Sequence, residues 1–296
     1  MKTAADNTQP NTQPPIQQVK KKRTLRPSTI LLHLALIIGS IVMAGPFIWM
    51  GLSSLKSFEQ MFSVPPTIIP DPVMWSNFTD SLAAMPFGRA YWNSFYISTI
   101  VVVSQIITCS MAAYAFAKLK FPGSKFLFIA FLATMMVPMQ VTLIPLYLIL
   151  DSLGWVNTHL SIIVPNALFN AFGVFLLRQF MLGIPKEMEE AAVMDGANPA
   201  FIYLRIMLPL IKPALAAFGI FSFIGIWNNF IQPLTFLSST ELFTVPLLLA
   251  MFKGLYVTQW PLLMAGATIS VVPVLIIYFF AQRQIIEGIA LTGVKG

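Results

Sequence analysis

The chain alternates long apolar runs with short polar connectors. Six runs reach bilayer-crossing length, at 29–52, 93–116, 126–150, 161–182, 214–237 and 261–282. Crossing the hydrocarbon core as a helix takes roughly 20 predominantly apolar residues, so each run predicts a transmembrane helix. The fold class is an all-α membrane protein with six transmembrane helices. Pro165, Asn166 and Asn170 interrupt the fourth run. Pro138 and Pro145 in the third and Pro273 in the sixth predict kinks, which membrane helices tolerate when neighbouring groups satisfy the freed backbone.

The remaining segments divide the chain. Residues 1–27 are rich in Gln, Asn, Thr and Pro and end in a basic cluster. They show no apolar period, so this segment reads as a disordered basic tail. Residues 28–52 form the first helix, too long for a signal-peptide core and without a clear cleavage site, so it stays as an anchor. Residues 53–92 are proline-rich and carry Trp75, Phe78, Tyr91 and Trp92, which predicts an extended, partly ordered cap. Residues 93–283 form the main transmembrane domain, interrupted by a polar loop at 183–213, and 284–296 form a short tail. A further sizeable loop, 238–260, closes on Tyr256, Gln259 and Trp260.

Composition supports this reading, since 57% of the 296 residues are hydrophobic and only 10% are charged. The net charge of +7 does not point to nucleic acid, because of where the charges lie. With both termini cytoplasmic, all of the 18 basic residues except Lys56, Arg89 and Lys253 fall on the cytoplasmic side. That asymmetry is the positive-inside rule, which sets orientation. The single cysteine, Cys109, lies inside a span and excludes a disulfide framework.

No catalytic constellation emerges. The chain has no His-Glu-x-x-His, no Gly-x-Ser-x-Gly and no paired cysteines. Gly123-Ser124-Lys125 has the wrong order for a phosphate loop and reads as a turn after Pro122. His33 and His159 sit near opposite membrane faces and read as interfacial or packing residues. None of the 11 acidic residues lies inside the six runs. Proton-driven carriers need ionisable groups at depth, so that class loses ground. An ion-coupled carrier using broken helices stays open as an alternative.

The polar loop at 183–213 carries the strongest signal. Pro185 starts a short helix whose Glu187, Glu189 and Glu190 complement the positive end of the helix dipole. Gly196 closes it, and Asn198-Pro199 reads as the cap and first turn of a second short helix. Pro209 and Pro213 bracket the exit into the next span. Two short helices at an angle make a knob, with Ala191 and Ala192 permitting close approach and Glu190 offering a charge. The other reading is an interfacial amphipathic helix pair, which three clustered glutamates suit poorly on an anionic membrane.

At these residues the chain resembles a known family. Glu190-Ala191-Ala192, Asp195-Gly196-Ala197, Ile206, Pro209 and Pro213 look like the EAA loop of ABC importer permeases. The resemblance covers most of 28–296 and is nearest to the carbohydrate-uptake group, similar to the smaller membrane subunit of maltose transporters. Trp227-Asn228-Asn229-Phe230 and the terminal Gly293-Val294-Lys295-Gly296 also look like that group.

The resemblance implies a type I ABC importer permease fold in a bacterial inner membrane. It implies a heterodimer with a second permease subunit, two ATPase subunits and an extracytoplasmic solute-binding protein. The chain itself would bind no cofactor, and ATP and Mg would belong to the partner ATPase. Glu190, Ala191, Ala192, Asp195, Gly196 and Pro209 would couple to that ATPase, with Gly293 and Lys295 as a C-terminal contact. The loop at 238–260 would engage the solute-binding protein. Gln140, Asn228 and Asn229 would line the substrate path, although each equally suits a bridge between helices. A sugar is the expected solute, with glycerol phosphate as an alternative.

Overall fold

A computed structural model describes residues 27–168, 170–253 and 258–293, with side chains in the last stretch as far as Gln282. In chain order the helices are α1 (Pro27–Ser53), α2 (Phe58–Met61), α3 (Ser76–Ala84) and α4 (Phe87–Lys118). They continue with α5 (Ser124–Ala133), α6 (Met139–Ser152), α7 (Leu160–Leu168) and α8 (Ala171–Leu182). Next come α9 (Lys186–Met194), α10 (Pro199–Ile202), α11 (Leu208–Leu210), α12 (Lys212–Trp227) and α13 (Ile231–Phe236). α14 (Val245–Ala250) and α15 (Trp260–Gly293) complete the set. The chain divides into two units, residues 1–46 and 47–296, with the boundary at Pro46 inside α1.

Among the described residues, four helical segments are long and apolar enough to cross a membrane, or up to six if each of two bent pairs counts as one span. The third expected helix is one of these pairs, bent by 99° between α5 and α6. Proline is the cause. Pro138 has no amide hydrogen to continue the ladder, and it forces Val137 into an extended conformation at φ −85°, ψ 115°. Pro145 and Pro273, in contrast, sit within continuous helices. The fifth expected helix, 214–237, stops at Trp227 and resumes as α13. Pro233 cannot donate to the Asn229 carbonyl, and the Asn229 side chain caps the new start by accepting from the Gln232 amide at 3.3 Å. The fourth run also breaks. Asn170 is extended, and its Oδ1 accepts from the Gly173 amide at 2.9 Å to start α8.

α4 is the central mast, packing along α8, α7 and α12, while α12 also packs on α15. Two apolar clusters lie along it. One includes Phe87, Ile97, Ile162, Trp227, Phe243 and Leu248. The other includes Cys109, Ala113, Val174, Leu177, Ile211 and Phe218. Inside a bilayer such packing rests on close van der Waals contact rather than on escape from water. Glycine permits the closest approaches. A Cβ on Gly173 would lie 2.3 Å from Phe218 Cζ, and one on Gly266 would lie 2.8 Å from Phe87 and Leu249.

Residues 53–84 are tied down by polar contacts. Ser57 and Gln60 form a reciprocal capping box at α2, and Asn77 Nδ2 donates to the carbonyls of Ser54 and Lys56 at 2.9 and 2.8 Å. Lys56 is buried, donates to the Thr67 carbonyl at 2.6 Å and lies 4.0 Å over the Trp49 ring. α2 and α3 both pack on α15. At that same end, side chains stitch the connectors together. Asn93 Nδ2 donates to the carbonyls of Glu241 and Phe243, and Ser94 Oγ accepts from the Val245 amide at 2.8 Å. Asn157, held at φ 56°, accepts from the amides of Ser238 and Ser239 at 3.0 Å each. His159 bridges Tyr96 and the Leu242 carbonyl.

Candidate functional site

The knob begins where α8 ends. Gly183 caps α8, and Pro185, at φ −54° and ψ 139°, turns the chain into α9. Glu187 and Glu189 occupy the first turn of α9, where the exposed amides favour negative charge. The helix closes on a paired turn, in which Gly196 N donates to the Val193 carbonyl and Ala197 N to the Ala192 carbonyl, both at 2.9 Å. That closure needs a left-handed residue, and Gly196 supplies it at φ 82°. Asn198 then starts α10, its Oδ1 accepting from Phe201 N at 2.8 Å, with Pro199 in the first turn.

The knob is fixed to the body from below. Lys118 Nζ, at the end of α4, donates to the Ile184 carbonyl at 3.0 Å and lies 3.8 Å from Glu189 Oε2. Arg178 Nε donates to the Phe116 carbonyl at 3.1 Å, with its guanidinium 4.2 Å from the Phe128 ring centre. Tyr203 and Ser110 hydroxyls meet at 2.7 Å. Ala192, Ile202 and Met207 are buried in the neighbouring apolar cluster.

Of the residues expected to couple, Glu190, Ala191, Asp195, Gly196 and Pro209 are exposed, whereas Ala192 faces inward. Asp195, Gly196, Asn198, Phe201 and Ile206 line an open hollow of about 460 Å³. Beside it, Met194 is 87% exposed and Val193 57%. Large apolar groups presented on a polar loop mark a surface that meets a protein or a membrane.

The expected substrate-path residues lie beside helix breaks, in different settings. Gln140 is exposed in the first turn of α6, just after the bend, and Asn228 is exposed at the break after α12. Asn229 Nδ2 donates to Gln232 Oε1 at 2.6 Å. Gly293 is the last described residue of α15, and Lys295 lies outside the described residues.

A second set of polar residues meets inside the bundle, of which the sequence reading marked only Asn166 and Asn170, as interruptions. Gln105 Oε1 on α4 accepts from Ser222 Oγ at 2.6 Å and Asn170 Nδ2 at 3.0 Å, and its Nε2 donates to the Asn166 carbonyl at 2.6 Å. Asn166 Nδ2 donates to Gln232 Oε1 at 2.8 Å. The signal was present as isolated amides within apolar runs, since such groups seldom sit in hydrocarbon without partners.

Comparison with known proteins agrees with this architecture. Residues 105–290 match the family described as binding-protein-dependent transport system inner membrane component. The arabinooligosaccharides transport system permease protein AraQ of Halalkalibacterium halodurans is 34% identical over 282 residues, covering 93% of this chain and all of that protein. The osmoprotective compounds uptake permease protein GgtD of Synechocystis is 32% identical, covering 89% of this chain and 91% of that protein. Among solved structures, a chain of a bacterial ABC transporter that imports the acidic polysaccharide alginate superposes with a TM-score of 0.75 at 25% identity. That match covers 88% of this chain and 97% of the other.

Proposed function

The chain belongs to the family of binding-protein-dependent transport system inner membrane components, and from that premise we propose that it is the permease subunit of an ATP-driven sugar importer. It forms half of the translocation path beside a second permease subunit. The apolar helices, with α5 and α6 as one bent span and α12 as another, are compatible with six crossings, and the distribution of basic residues supports cytoplasmic termini. The knob is then cytoplasmic and docks on one of two ATPase subunits, which alone bind ATP and Mg. Residues 238–260 face the other side, where a solute-binding protein delivers its cargo. Residues 288–296, with Gly293 and Lys295, meet the ATPase pair.

The knob is the observation that supports this most. It is a pair of short helices, closed by Gly196 and tied to α4 by Lys118, with Glu190, Asp195 and Met194 exposed for a partner. ATP-driven closure of the ATPase pair moves this knob and so drives the helices that flank it. Exposed Gln140 and Asn228, each beside a helix break, supply hydrogen-bonding groups to a wet path between the two permeases. Relatives named for arabinooligosaccharides, diacetylchitobiose and starch degradation products favour an oligosaccharide as the solute.

The assembled complex tests the reading. Its ATPase activity, measured with the cognate solute-binding protein over a panel of oligosaccharides, glycerol phosphate and osmolytes, rises with one saccharide. Stimulation by a non-saccharide alone would reassign the substrate, and no stimulation by any solute would remove the importer reading.

A further inference from the structure

The connector after α1 presents an apolar surface. No charged residue lies between Glu59 and Asp71, and within that stretch Phe62, Val64, Ile68 and Ile69 are exposed, Val64 at 94% and Ile69 at 76%. Trp75, just beyond it, is exposed as well. An apolar patch of this kind, flanked by acids rather than interrupted by them, marks a surface that meets a partner.

The depth of this segment is set by α15. Ser81 Oγ, on α3, donates to the Leu262 carbonyl at 3.0 Å, and a Cβ on Gly266 would lie 3.0 Å from the same oxygen. Trp260 opens the stretch Trp260–Gln282, which is long and apolar enough to cross a membrane. Gly266 lies six residues further in, about 9 Å along the axis at helical rise. α3 therefore lies beside the first turns of a span and not beyond its end. The apolar connector is tied to α3 as one piece. Asn77 donates to the carbonyls of Ser54 and Lys56, Met74 N donates to the Leu55 carbonyl at 2.8 Å, and Lys56 reaches across to the Thr67 carbonyl.

That level is the boundary between headgroups and acyl chains, where interfacial segments bury apolar side chains about 5–10 Å deep and tryptophan is favoured. The backbone suits it. Pro65, Pro66 and Pro70 carry no amide hydrogen. The Thr67 amide donates to Ser63 Oγ at 3.4 Å, and its carbonyl accepts from the Lys56 ammonium at 2.6 Å. Unsatisfied backbone groups are what keep irregular chain out of lipid, and each proline and each of these bonds lowers that cost. Lys56, being buried, adds no cation to the surface.

We infer that residues 62–75 are a lipid anchor, with Phe62, Val64, Ile68, Ile69 and Trp75 seated in the headgroup boundary at the Trp260 end of α15. A solute-binding protein meets surfaces beyond the ends of the spans, whereas this patch belongs to a piece packed alongside one. On the orientation proposed above, the boundary is that of the outer leaflet. The inference rests on the chain crossing the membrane and is independent of the solute and of the energy source.

Depth-dependent quenching tests this. A bimane label is placed at Val64→Cys or at Ile69→Cys in the assembled complex, with cysteine-free partner subunits, in nanodiscs of phosphatidylethanolamine and phosphatidylglycerol. The native Cys109 is buried. A label at Thr240→Cys, exposed on the connector before α14, serves as the aqueous reference. Both anchor labels lose fluorescence to lipids carrying a doxyl group near the glycerol backbone and lose less to doxyl near the chain end. Iodide quenches them less than it quenches the Thr240 label, and excess solute-binding protein leaves the profile unchanged.

Iodide quenching as strong as at Thr240 would overturn the anchor. Protection that arises only on adding the solute-binding protein would assign the patch to that protein instead. Protection from iodide and from both lipid quenchers would assign it to the second permease, and would overturn the anchor equally. Each of these results leaves the coupling of the knob to the ATPase untouched, because ATP-dependent uptake reads that separately.

Discussion

Lys118 Nζ at the end of α4 lies 3.0 Å from the Ile184 carbonyl and 3.8 Å from Glu189 Oε2, so the central helix grips the base of the knob. The shorter contact is a charge-assisted hydrogen bond, and the longer one is a loose ion pair. The Lys118 side chain is 5% exposed, so neither partner is readily replaced by water.

These two contacts have separable weights. Lys118→Ala removes both and frees the base of the knob, costing about 1.5–3 kcal/mol for a hydrogen bond from a charged group. Glu189→Gln leaves the Ile184 contact and costs about 0–1 kcal/mol, as partly exposed ion pairs do. Transport per ATP hydrolysed in the reconstituted complex therefore falls sharply for the first and little for the second. Equal losses would show that the ion pair, not the backbone contact, fixes the knob.

Gly196 is needed for its backbone and not for space, since a Cβ there would meet nothing within 4 Å and φ is +82°. Gly196→Asn is then tolerated best, because Asn adopts the left-handed region most readily among the alternatives. Gly196→Ala costs about 1–2 kcal/mol, and Gly196→Val more because of β-branching. Co-purification of the ATPase subunits ranks the variants in that order, glycine first and valine last. Equal retention by Asn and Val would show that the left-handed turn is dispensable.

Gly173 is the opposite case, where space is everything. A Cβ would overlap the Phe218 ring, so Gly173→Ala forces α8 and α12 apart at a cost of about 1–3 kcal/mol. The melting temperature of the detergent-solubilised protein falls, and Phe218→Leu in the same chain restores part of it. No recovery in the double variant would mean that the glycine serves another purpose.

Lys56 gives the chain a pH signature. Burial pushes its ammonium below the ordinary value of 10.5. Between that lowered value and 10.5 the unfolded chain binds more protons at this site than the folded one, so stability rises with pH across the window. Below it, the cost of burying the charge is present in full, offset by the Thr67 carbonyl and the Trp49 ring. Lys56→Met removes this slope, and the difference between the two melting curves from neutral pH to pH 10 isolates it. A difference of opposite sign would show that the folded site favours the charged lysine.

The long helices were legible because hydropathy alone sets them. The run at 29–52 became Pro27–Ser53, and 93–116 became Phe87–Lys118, extended at its start by residues too polar or aromatic to count as span. The knob was legible because its signals are local, with Pro185, Gly196 and Asn198-Pro199 each acting within a few residues. The breaks were only half visible. Pro138 ends a helix while Pro145 does not, and a single sequence does not show which freed carbonyls find partners. Gln105 illustrates the limit, because its partners Asn170 and Ser222 lie 65 and 117 residues away. Such pairings exist only once helices are packed.

On the proposed function, the energy for transport enters through the knob from a separate ATPase. Its most direct test is sugar uptake into proteoliposomes holding the assembled complex, with ATP inside the ATPase compartment and no ion gradient, comparing the native chain with Glu190→Lys. The native complex takes up sugar only when ATP is present, and reversing the charge at the exposed Glu190 abolishes uptake while the permease remains inserted and folded. Uptake by the Glu190→Lys complex at the native rate, or uptake by the native chain without ATP, would contradict the account.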